Sequence, residues 1–566
     1  MKASRQLIIF ITLLTTSCAN FGAAPTVPAT EVEIDDPAEV TIGERLFLET
    51  RFAQFYATHS DDLANAILTS GDSVMDTTET LEESLVGPFA GQSMNCAACH
   101  LVDQQRFSEG AGIRTYSDFA RRSPIPNRDD GKTTTPRNSP PLVNASLARS
   151  TDFFLHFDGE FATSEDLVKA AITGRNYGWL ASESAEAITH IANIIRNDNG
   201  RGELATETNS LSYADLLNGE GAIPDALRLP EEFQLDVDSA SDTEILDVIA
   251  RLVKAYMDNL AFHKNSNDQY DTSPYDVFLT KNSLPQTPET GESALDYSRR
   301  LKLLIDALTN PIFVSHADQS FTTHNQDFIF DETELAGLKI FLKEPAGASL
   351  TQDELNTGAT GNCLKCHAAP DFTDFEFHNT GVAQEEYDSL HGSGGFAALS
   401  IPTLAERNAD FDAYLPATSD HPNAQGPFLS VPKLEDPSLT DLGAWNVFAN
   451  PDKLIPQDTL TLTLCASEEK LAIDASADCD PETLLQAAIA LFKTPGLRDL
   501  GHGAPYMHTG QFDTIEDTLT HYQTNSDLMR AGHLRNGSPA LANVSISDAS
   551  LTNLAAFLHS LNEDYE

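Results

Sequence analysis

The sequence predicts a mainly α-helical protein made of two similar halves in tandem, with long loops and insertions. The chain has 566 residues, which is too many for a single hydrophobic core. Apolar residues recur at helical spacing in several segments, whereas strand-like alternation is confined to short runs such as residues 459–464. A short Gly-containing helical pattern occurs twice, at residues 43–48 and 337–342, which indicates a duplicated unit.

Two longer segments show the helical periodicity most clearly. Residues 242–260 place Ile245 and Ile249 on one face together with further apolar residues. Residues 547–561 begin with Ser547, a residue type that suits a helix N-cap, and carry a stripe of leucines. We therefore expect a helix in each segment.

The domain organisation follows from changes in composition along the chain. Residues 266–300 are polar and rich in turn-forming residues, so we interpret them as a linker with a boundary near residue 300. Residues 122–141 and 392–434 are rich in Pro, Gly, Asp and Ser and are expected to form loops. The predicted parts are a signal peptide at 1–24, an N-terminal segment at 25–75, a first domain at 76–300 and a second domain at 301–566.

The charge of the chain excludes one class of partner. There are 85 Asp and Glu residues against 35 Lys and Arg residues, which gives a formal net charge of −50. Such a surface repels nucleic acid and attracts basic proteins. Acidity that serves only solubility is the alternative explanation.

The first residues have the pattern of an export signal. Lys2 and Arg5 precede a short apolar run at residues 7–14, which is too short to span a bilayer. Small residues around Cys18 resemble a lipoprotein cleavage site, and cleavage after residues 23–24 is the alternative. We expect a periplasmic protein, either free or anchored as an outer-membrane lipoprotein, and no later segment is apolar enough to span a membrane.

Two copies of the motif Cys-x-x-Cys-His carry the most specific chemical signal. They consist of Cys96, Cys99 and His100, and of Cys363, Cys366 and His367. This pattern is the attachment signature for c-type haem, in which two thiols bond the porphyrin and the His ligates the iron. A zinc site using both pairs and a thioredoxin-like redox pair are the alternatives, but neither requires His after the second Cys. The sequence therefore predicts two covalently bound haem c groups.

Two further cysteines lie in a polar stretch near the end of the second half. They are Cys465 and Cys479. Disulfides are stable in an oxidising compartment such as the periplasm. We expect these two residues to form a disulfide that closes a surface loop.

Beyond the haem motifs, several segments resemble the bacterial di-haem cytochrome c peroxidases and MauG, an enzyme that oxidises a tryptophan pair in a partner protein. The segments are RNSPPLVN at 137–144, FDGE at 157–160, FTDFEFHNTG at 372–381, TPGLR at 494–498 and APYMHTG at 504–510. The resemblance spans about residues 41–561 and is strongest in the second half. It implies two cytochrome c-like haem domains in tandem.

The resemblance assigns roles to the haem ligands. It implies that His100 holds the haem that reacts with peroxide and that His367 holds the haem that passes electrons. The second ligand of the latter haem is Met in the peroxidases and Tyr in MauG, and Tyr522 occupies this position here. Met507 is a rival ligand, and His508 in the same segment is also expected to contact the cofactor.

The same resemblance implies one calcium ion between the haems. In the family, an Asn side chain and two backbone carbonyls bind this ion, and water completes the shell. Asn138 matches the Asn, while Gly503 and Pro505 match the two carbonyl positions.

Three departures from the family concern the first haem and the path between the haems. No His occurs between residues 102 and 155 to block the first iron, although His156 could approach it. Phe157 stands where the family has a Trp between the haems, and Trp179 could substitute for it. Arg175 and Asn176 occupy the region of the distal acid–base groups, so we expect them to polarise bound peroxide.

These features predict a peroxidase that reduces hydrogen peroxide with electrons from a donor cytochrome c or a cupredoxin-like protein. The electrons would pass through the C-terminal haem. A MauG-like oxidative modifier of a protein substrate and a plain electron carrier are the alternatives.

Overall fold

The computed structural model describes the protein at residues 36–79, 84–86, 93–100, 122–147, 155–219, 221–318, 327–453, 457–466 and 479–563. The predicted signal peptide, and with it Cys18, lies outside the described residues. Asp36–Glu566 is one compact unit. Helices dominate and strands are few, as the sequence predicts.

Six helices belong to the first half. They are α1 Ala38–Phe47, α2 Gln54–His59, α3 Ser164–Ile172, α4 Ser184–Asn197, α5 Tyr213–Asn218 and α6 Asp242–Asn259. The predicted helix at residues 242–260 is confirmed as α6. Ser241 caps its first turn by accepting a hydrogen bond from the Glu244 backbone N–H, while the Glu244 side chain accepts one from the Ser241 backbone.

The second half contains the remaining helices. They are α7 Pro274–Lys281, α8 Ala294–Asp306, α9 Glu332–Phe341, α10 Gln352–Thr357, α11 Val382–His391, α12 Gly395–Ala398, α13 Leu404–Ala409, α14 Phe411–Tyr414, α15 Gln457–Ala466, α16 Pro481–Ala487, α17 Ile515–Arg530 and α18 Asp548–His559. The predicted helix at residues 547–561 is confirmed as α18, with Ser547 as its N-cap. The strand-like pattern at residues 459–464 was misleading, because this segment lies inside α15.

The described strands are short and pair two by two. They are β1 Thr77–Glu79, β2 Ser84–Val86, β3 Ala359–Thr360, β4 Phe377–His378, β5 Phe492–Lys493 and β6 Ser545–Ile546. Each pair is antiparallel, with β1 on β2, β3 on β6 and β4 on β5. The β4–β5 pair matters for the site, because it joins the segment after the second Cys-x-x-Cys-His motif to the segment before the APYMHTG motif.

The repeated Gly pattern corresponds to a repeated helix crossing. Helix α1 packs on α6 at Gly43, where a Cβ atom would lie 2.1 Å from the carbonyl oxygen of Leu252. Helix α9 packs on α18 at Gly337, where a Cβ atom would lie 1.9 Å from the carbonyl oxygen of Asn553. Only Gly permits such a close approach of two helix backbones. Each half therefore pairs the helix before its motif with the helix that ends the half.

The predicted linker at residues 266–300 is wrong. Helices α7 and α8 lie within and just beyond this segment, and residue 300 falls inside α8. Tyr275, Phe278 and Tyr297 are buried in the main core of the second half, together with Phe341 and Phe557. These apolar residues are spaced among polar ones, which makes the segment polar in composition although one side of each helix is buried.

Between residues 383 and 491, the described part of the second half has a hydrophobic core of its own, and we call this region the insertion. Phe396, Phe411, Phe428 and Trp445 contribute to this core. The guanidinium of the fully buried Arg407 donates hydrogen bonds to three backbone carbonyls, and its carbon lies 4.9 Å from the Trp445 ring. Within residues 392–434, which were expected to be loops, the short helices α12, α13 and α14 occupy much of the stretch up to residue 414, whereas residues 415–434 contain no helix.

Two remaining expectations concern cysteines and membranes. Cys465 and Cys479 form the predicted disulfide, with their Cα atoms 5.7 Å apart. Across the described part of the chain, none of the helices has the length and apolar character needed to span a membrane.

Candidate haem-binding site

The two Cys-x-x-Cys-His motifs have the same local structure. Cys96–Ala98 and Cys363–Lys365 each form one turn of 3₁₀ helix. The backbone N–H of His100 donates to the Cys96 carbonyl across 2.9 Å, and that of His367 donates to the Cys363 carbonyl across 2.8 Å. The turn places the two thiols and the imidazole of each motif close together, as the sequence predicts.

Both imidazoles are fixed by the same kind of hydrogen bond. Nδ1 of His100 lies 3.0 Å from the Pro140 carbonyl oxygen, and Nδ1 of His367 lies 3.0 Å from the Phe372 carbonyl oxygen. A carbonyl only accepts, so Nδ1 carries the proton and Nε2 keeps its lone pair. Burial lowers the pKa of His100 to about 4 and also lowers that of His367, so both rings are neutral at pH 7. Each His is therefore prepared to ligate a metal through Nε2.

The thiols do not fit the two alternative interpretations. Burial raises the pKa of Cys96 to about 12, that of Cys99 to about 11 and that of Cys363 to about 12. A thioredoxin-like pair requires a lowered pKa at its reactive thiol. Among the described residues, no cluster of candidate metal ligands brings together thiols from both motifs, so a four-thiolate zinc site is not formed.

The second motif opens onto a cavity with largely apolar walls. Cys363, Cys366 and His367 line it, and side chains of α9, α17 and α18 contribute to its apolar wall. Tyr522 and Met507, the two candidate ligands, both line this cavity. Burial raises the pKa of Tyr522 above its ordinary value, and electrostatic interaction with Cys366 and Cys363, which line the same cavity, raises it further.

The first motif is held by residues that the sequence analysis did not single out. The Asn95 side chain caps the motif turn by accepting from the Ala98 N–H at 3.0 Å, and it donates to the Leu48 carbonyl at 3.0 Å. The hydroxyl of the buried Tyr177 lies 3.1 Å from Cys96 Sγ. Residues 101–121, which follow this motif, lie outside the described residues.

Arg175 and Asn176 do not take the positions that were expected of them. The Arg175 guanidinium is held by the Asp130 carboxylate, with Nε 2.7 Å from Oδ2, and by the carbonyls of Pro126 and Lys132. The Asn176 side chain is exposed. In this turn, Arg175–Tyr177, the residue that contacts the first motif is Tyr177. The sequence signal for Tyr177 was an aromatic residue between polar neighbours and a Gly, which did not reveal that its ring is buried.

Phe157, a residue of the first half, contacts the second half. Its carbonyl accepts from the Lys493 N–H at 2.7 Å, and its ring centroid lies 6.3 Å from that of His508. The His508 ring in turn stacks on Phe492 at 3.5 Å. Phe157 and His508 both line the cavity of the second motif, so they connect the first half to that site.

Trp179 does not substitute for the missing inter-haem Trp. Its indole N–H donates to the Phe52 carbonyl across 3.1 Å, and its ring lies 5.8 Å from that of His190. These contacts place it inside the first half. His156 bonds Glu160 Oε2 at 3.1 Å and packs edge-on against Phe161, which agrees with a packing role.

The three residues expected at a calcium site all line the same cavity. Asn138 Nδ2 donates to the Pro505 carbonyl across 2.6 Å, and Gly503 lies two residues before Pro505. Asn138 Oδ1 is buried and has no hydrogen-bond partner among the residues that the structure describes. An unpaired amide oxygen beside a free carbonyl lone pair is the donor chemistry that Ca²⁺ requires, so the residues fit this ion.

Buried ion pairs clamp the two halves at this junction. The Arg137 guanidinium forms a two-point contact with Asp441 at 2.5 and 2.9 Å, and a third contact with Asp158 at 2.7 Å. Glu160 pairs with Lys453 at 2.6 Å. Asp441 and Lys453 belong to the insertion, which therefore contacts the FDGE segment around Phe157.

Comparison with known proteins adds the following similarities. No family model matches the chain. The curated cytochrome-c peroxidase IdrP2 of Pseudomonas sp. (strain SCT) is 38% identical over 76 residues, which cover 13% of this chain and 18% of that relative. The chain thus matches less than a fifth of that relative's length. The resemblance to cytochrome c peroxidases that the motifs predicted is confirmed by this match.

Two solved structures show similarity to this chain at low sequence identity. The diheme peroxidase BthA from Burkholderia thailandensis E264 has 16% identity and a TM-score of 0.43, with 93% of this chain and 86% of that chain covered. A MauG-like protein associated with microbial copper homeostasis has 14% identity and a TM-score of 0.40, with 96% of each chain covered.

Proposed function

We propose that the chain is an exported di-haem c-type cytochrome of the cytochrome c peroxidase and MauG family, and that it reduces hydrogen peroxide. The observation that carries this proposal is the duplication of one motif geometry. In both copies, the imidazole Nδ1 donates to a backbone carbonyl at 3.0 Å and leaves Nε2 for iron. Two tandem cytochrome c-like domains account for this repeat and for the repeated helix crossing at Gly43 and Gly337.

The residues fit two covalently bound haem groups. Cys96 and Cys99 would anchor the first haem with His100 as its ligand, and Cys363 and Cys366 would anchor the second with His367 as its ligand. The largely apolar cavity at the second motif suits a porphyrin, and Cys363, Cys366 and His367 all line it. Tyr522 is the proposed second ligand at this site, with Met507 as the rival.

When bound, the haem groups supply redox chemistry: one peroxide, two electrons and two protons give two waters. His100 and His367 would hold these groups, and the carbonyls of Pro140 and Phe372 fix the orientation of the two imidazoles. Phe157 and His508 occupy the space between the halves, so electrons entering at the second site would reach the first through this junction. We assign a calcium ion to Asn138, Gly503 and Pro505, where it would hold the junction together.

The electron donor would be a small redox protein, either a cytochrome c or a cupredoxin-like protein. The net charge of −50 favours a basic donor, because charge steering accelerates transient docking. We place the protein in the periplasm, either free or anchored to the outer membrane by a lipid at Cys18. This placement rests on the leader sequence.

A MauG-like oxidative modifier of a protein substrate is the second candidate. It is favoured by Tyr522, which stands where MauG has Tyr and lines the cavity of the second motif together with Cys363 and Cys366. A phenolate ligand stabilises ferric iron more than a thioether does, which suits a site that stores oxidising equivalents.

The purified protein provides a direct test. A pyridine haemochrome assay should give two c-type haems per chain, and the paired variant Cys363→Ala/Cys366→Ala should give one. Peroxide should then be consumed when a reduced donor cytochrome is supplied. Two haems without peroxide consumption would leave a plain electron carrier, and fewer than two haems would refute the proposal. Consumption of peroxide together with oxidation of a partner protein would favour the MauG-like candidate.

A further inference from the structure

Trp179 is the one tryptophan of the first half, and the contacts described above do not give it a role at the junction. The chain has two tryptophans in all. The Trp179 side chain is 1% exposed, and its indole N–H donates to the Phe52 carbonyl at 3.1 Å. A carbonyl accepts a hydrogen bond but is not a base. Trp179 can therefore lose an electron while keeping its proton.

Aromatic rings continue from Trp179 toward the surface. The His190 ring lies 5.8 Å from Trp179 and 6.2 Å from Tyr56. His190 is held in place because its Nε2 donates to the Arg51 carbonyl across 2.8 Å. The spacing is that of packed rings, so electrons would cross only short gaps between them.

The outer end of this row lies under an exposed apolar loop. The Tyr56 hydroxyl lies 3.1 Å from the carbonyls of both Leu63 and Ala66. In the same loop, Leu63 is 62% exposed and Ile67 is 94% exposed. Small apolar molecules in solution can therefore approach the loop that covers Tyr56.

The inner end of the row lies at the first Cys-x-x-Cys-His motif. Tyr177 precedes Trp179 by two residues, and its hydroxyl lies 3.1 Å from Cys96 Sγ. Both aromatic side chains are buried, and the backbone N–H groups of both residues donate to the Gly174 carbonyl, at 3.1 and 3.2 Å. The first half thus contains Tyr177 at the first motif, joined through the backbone of Gly178 to the row of rings Trp179, His190 and Tyr56, which ends under the exposed loop.

We propose that this row is an electron path through which small phenols in solution are oxidised at the surface of the first half. The proposal rests on the peroxide chemistry proposed above. In each transfer, Trp179 gives one electron toward the first motif and becomes an indole radical cation. A phenol then returns one electron along the row through Tyr56 and releases its proton to water. Two phenols and one peroxide give two phenoxyl radicals and two waters.

The path predicts a specific pattern of damage when no donor is present. Peroxide should then oxidise the residues of the row, and mass spectrometry of digested protein should find the modification at Trp179 and Tyr56. Trp445 is the matched control, because it is fully buried but lies in the core of the insertion, with its ring 5.0 Å from Phe428. Peroxide consumption with Trp179 unmodified would overturn the proposal.

Kinetics of matched variants complete the test. Trp179→Phe and Tyr56→Phe should each slow peroxide-driven oxidation of guaiacol by roughly tenfold or more, whereas Trp445→Phe should not. Oxidation of a reduced cytochrome c should persist in all three variants, since those electrons enter at the second site. Equal losses with both donors would indicate a damaged first site and would overturn the path. A wild-type protein that consumes no peroxide would overturn the proposed function and this inference together.

Discussion

The side-chain amide of Asn138 donates a hydrogen bond to the carbonyl of Pro505 across 2.6 Å and so joins the two halves of the molecule. The Asn138 backbone N–H strengthens the same junction by donating to the His508 carbonyl across 2.7 Å. The contact uses Nδ2 and leaves Oδ1 buried and unpaired within the described residues. An ion with a preference for oxygen ligands would satisfy both Oδ1 and the Pro505 carbonyl.

Calcium content should therefore depend on Asn138. We expect about one Ca²⁺ per chain in protein purified without chelator, and less in Asn138→Ala, because two backbone carbonyls alone bind the ion weakly. Elemental analysis after dialysis measures this content. The exposed Asn267 supplies the control Asn267→Ala, which should retain the ion. Equal calcium in wild type and Asn138→Ala would contradict the assignment.

The identity of the second ligand at the C-terminal site can be tested by paired substitutions. Tyr522→Met should raise the reduction potential of one haem by on the order of 100 mV, because a thioether stabilises ferric iron less than a phenolate does. Spectroelectrochemical titration measures both potentials in one experiment. Met507→Leu should leave them near the wild-type values. If Met507→Leu shifts the potential and Tyr522→Met does not, Met507 is the ligand.

The fold was predictable where a pattern is continuous and local. Helix α6 follows from an uninterrupted apolar stripe and a Ser–Glu capping pair, and α18 follows from its Ser N-cap and leucines. Helix α15 was missed because, over a short segment, alternating Thr and Leu residues fit the periodicity of a strand as well as that of a helix. Helices α7 and α8 were taken for a linker because only a few large side chains, such as that of Phe278, pack them into the core.

The parts of the site in which chemistry fixes the residue spacing were predictable from the sequence. The parts in which tertiary contacts determine the position of a side chain were not. The Cys-x-x-Cys-His spacing requires a single turn, and both motifs form it. Arg175 and Tyr177 share another turn, but the sequence does not reveal that Asp130 holds the guanidinium while the phenol contacts Cys96. That outcome depends on a loop some 45 residues earlier in the chain, as the Arg175–Asp130 separation shows.

The helix crossing at Gly337 should tolerate no added carbon. In Gly337→Ala, the new Cβ would lie 1.9 Å from the Asn553 carbonyl oxygen and 2.8 Å from Phe557 Cβ, so α9 and α18 must move apart. We expect a loss of about 1–3 kcal/mol in the free energy of unfolding, as for other overpacked cores. Urea denaturation measures this loss. Gly202→Ala is the control, because a Cβ atom there meets nothing within 4 Å. Equal stability of the two variants would contradict the close crossing.

A buried cluster of charges near the C-terminus makes the stability of the protein depend on pH. The Arg498 guanidinium contacts Asp276 at 2.9 and 3.1 Å and also contacts Glu563. Burial raises the pKa of Glu563 from 4.5 to about 8, and the neighbouring Asp276 carboxylate adds to this increase, whereas Arg498 opposes it. The folded protein therefore holds a proton on Glu563 at pH values where the unfolded chain has released it.

The free energy of unfolding should fall as pH rises through this range. The contribution of the Glu563 proton is complete below about pH 4.5, the ordinary pKa, and is lost as pH rises through about 8, the folded pKa. Replacing Glu563 by Gln keeps a neutral side chain at every pH, so its urea midpoint should vary less between pH 5 and pH 9 than that of wild type. The exposed Glu435 gives the control Glu435→Gln, which should keep the wild-type profile. If the urea midpoints of Glu563→Gln and wild type vary with pH in parallel, Glu563 does not titrate in this window. If the wild-type midpoint rises with pH, the predicted direction of the stability change is wrong.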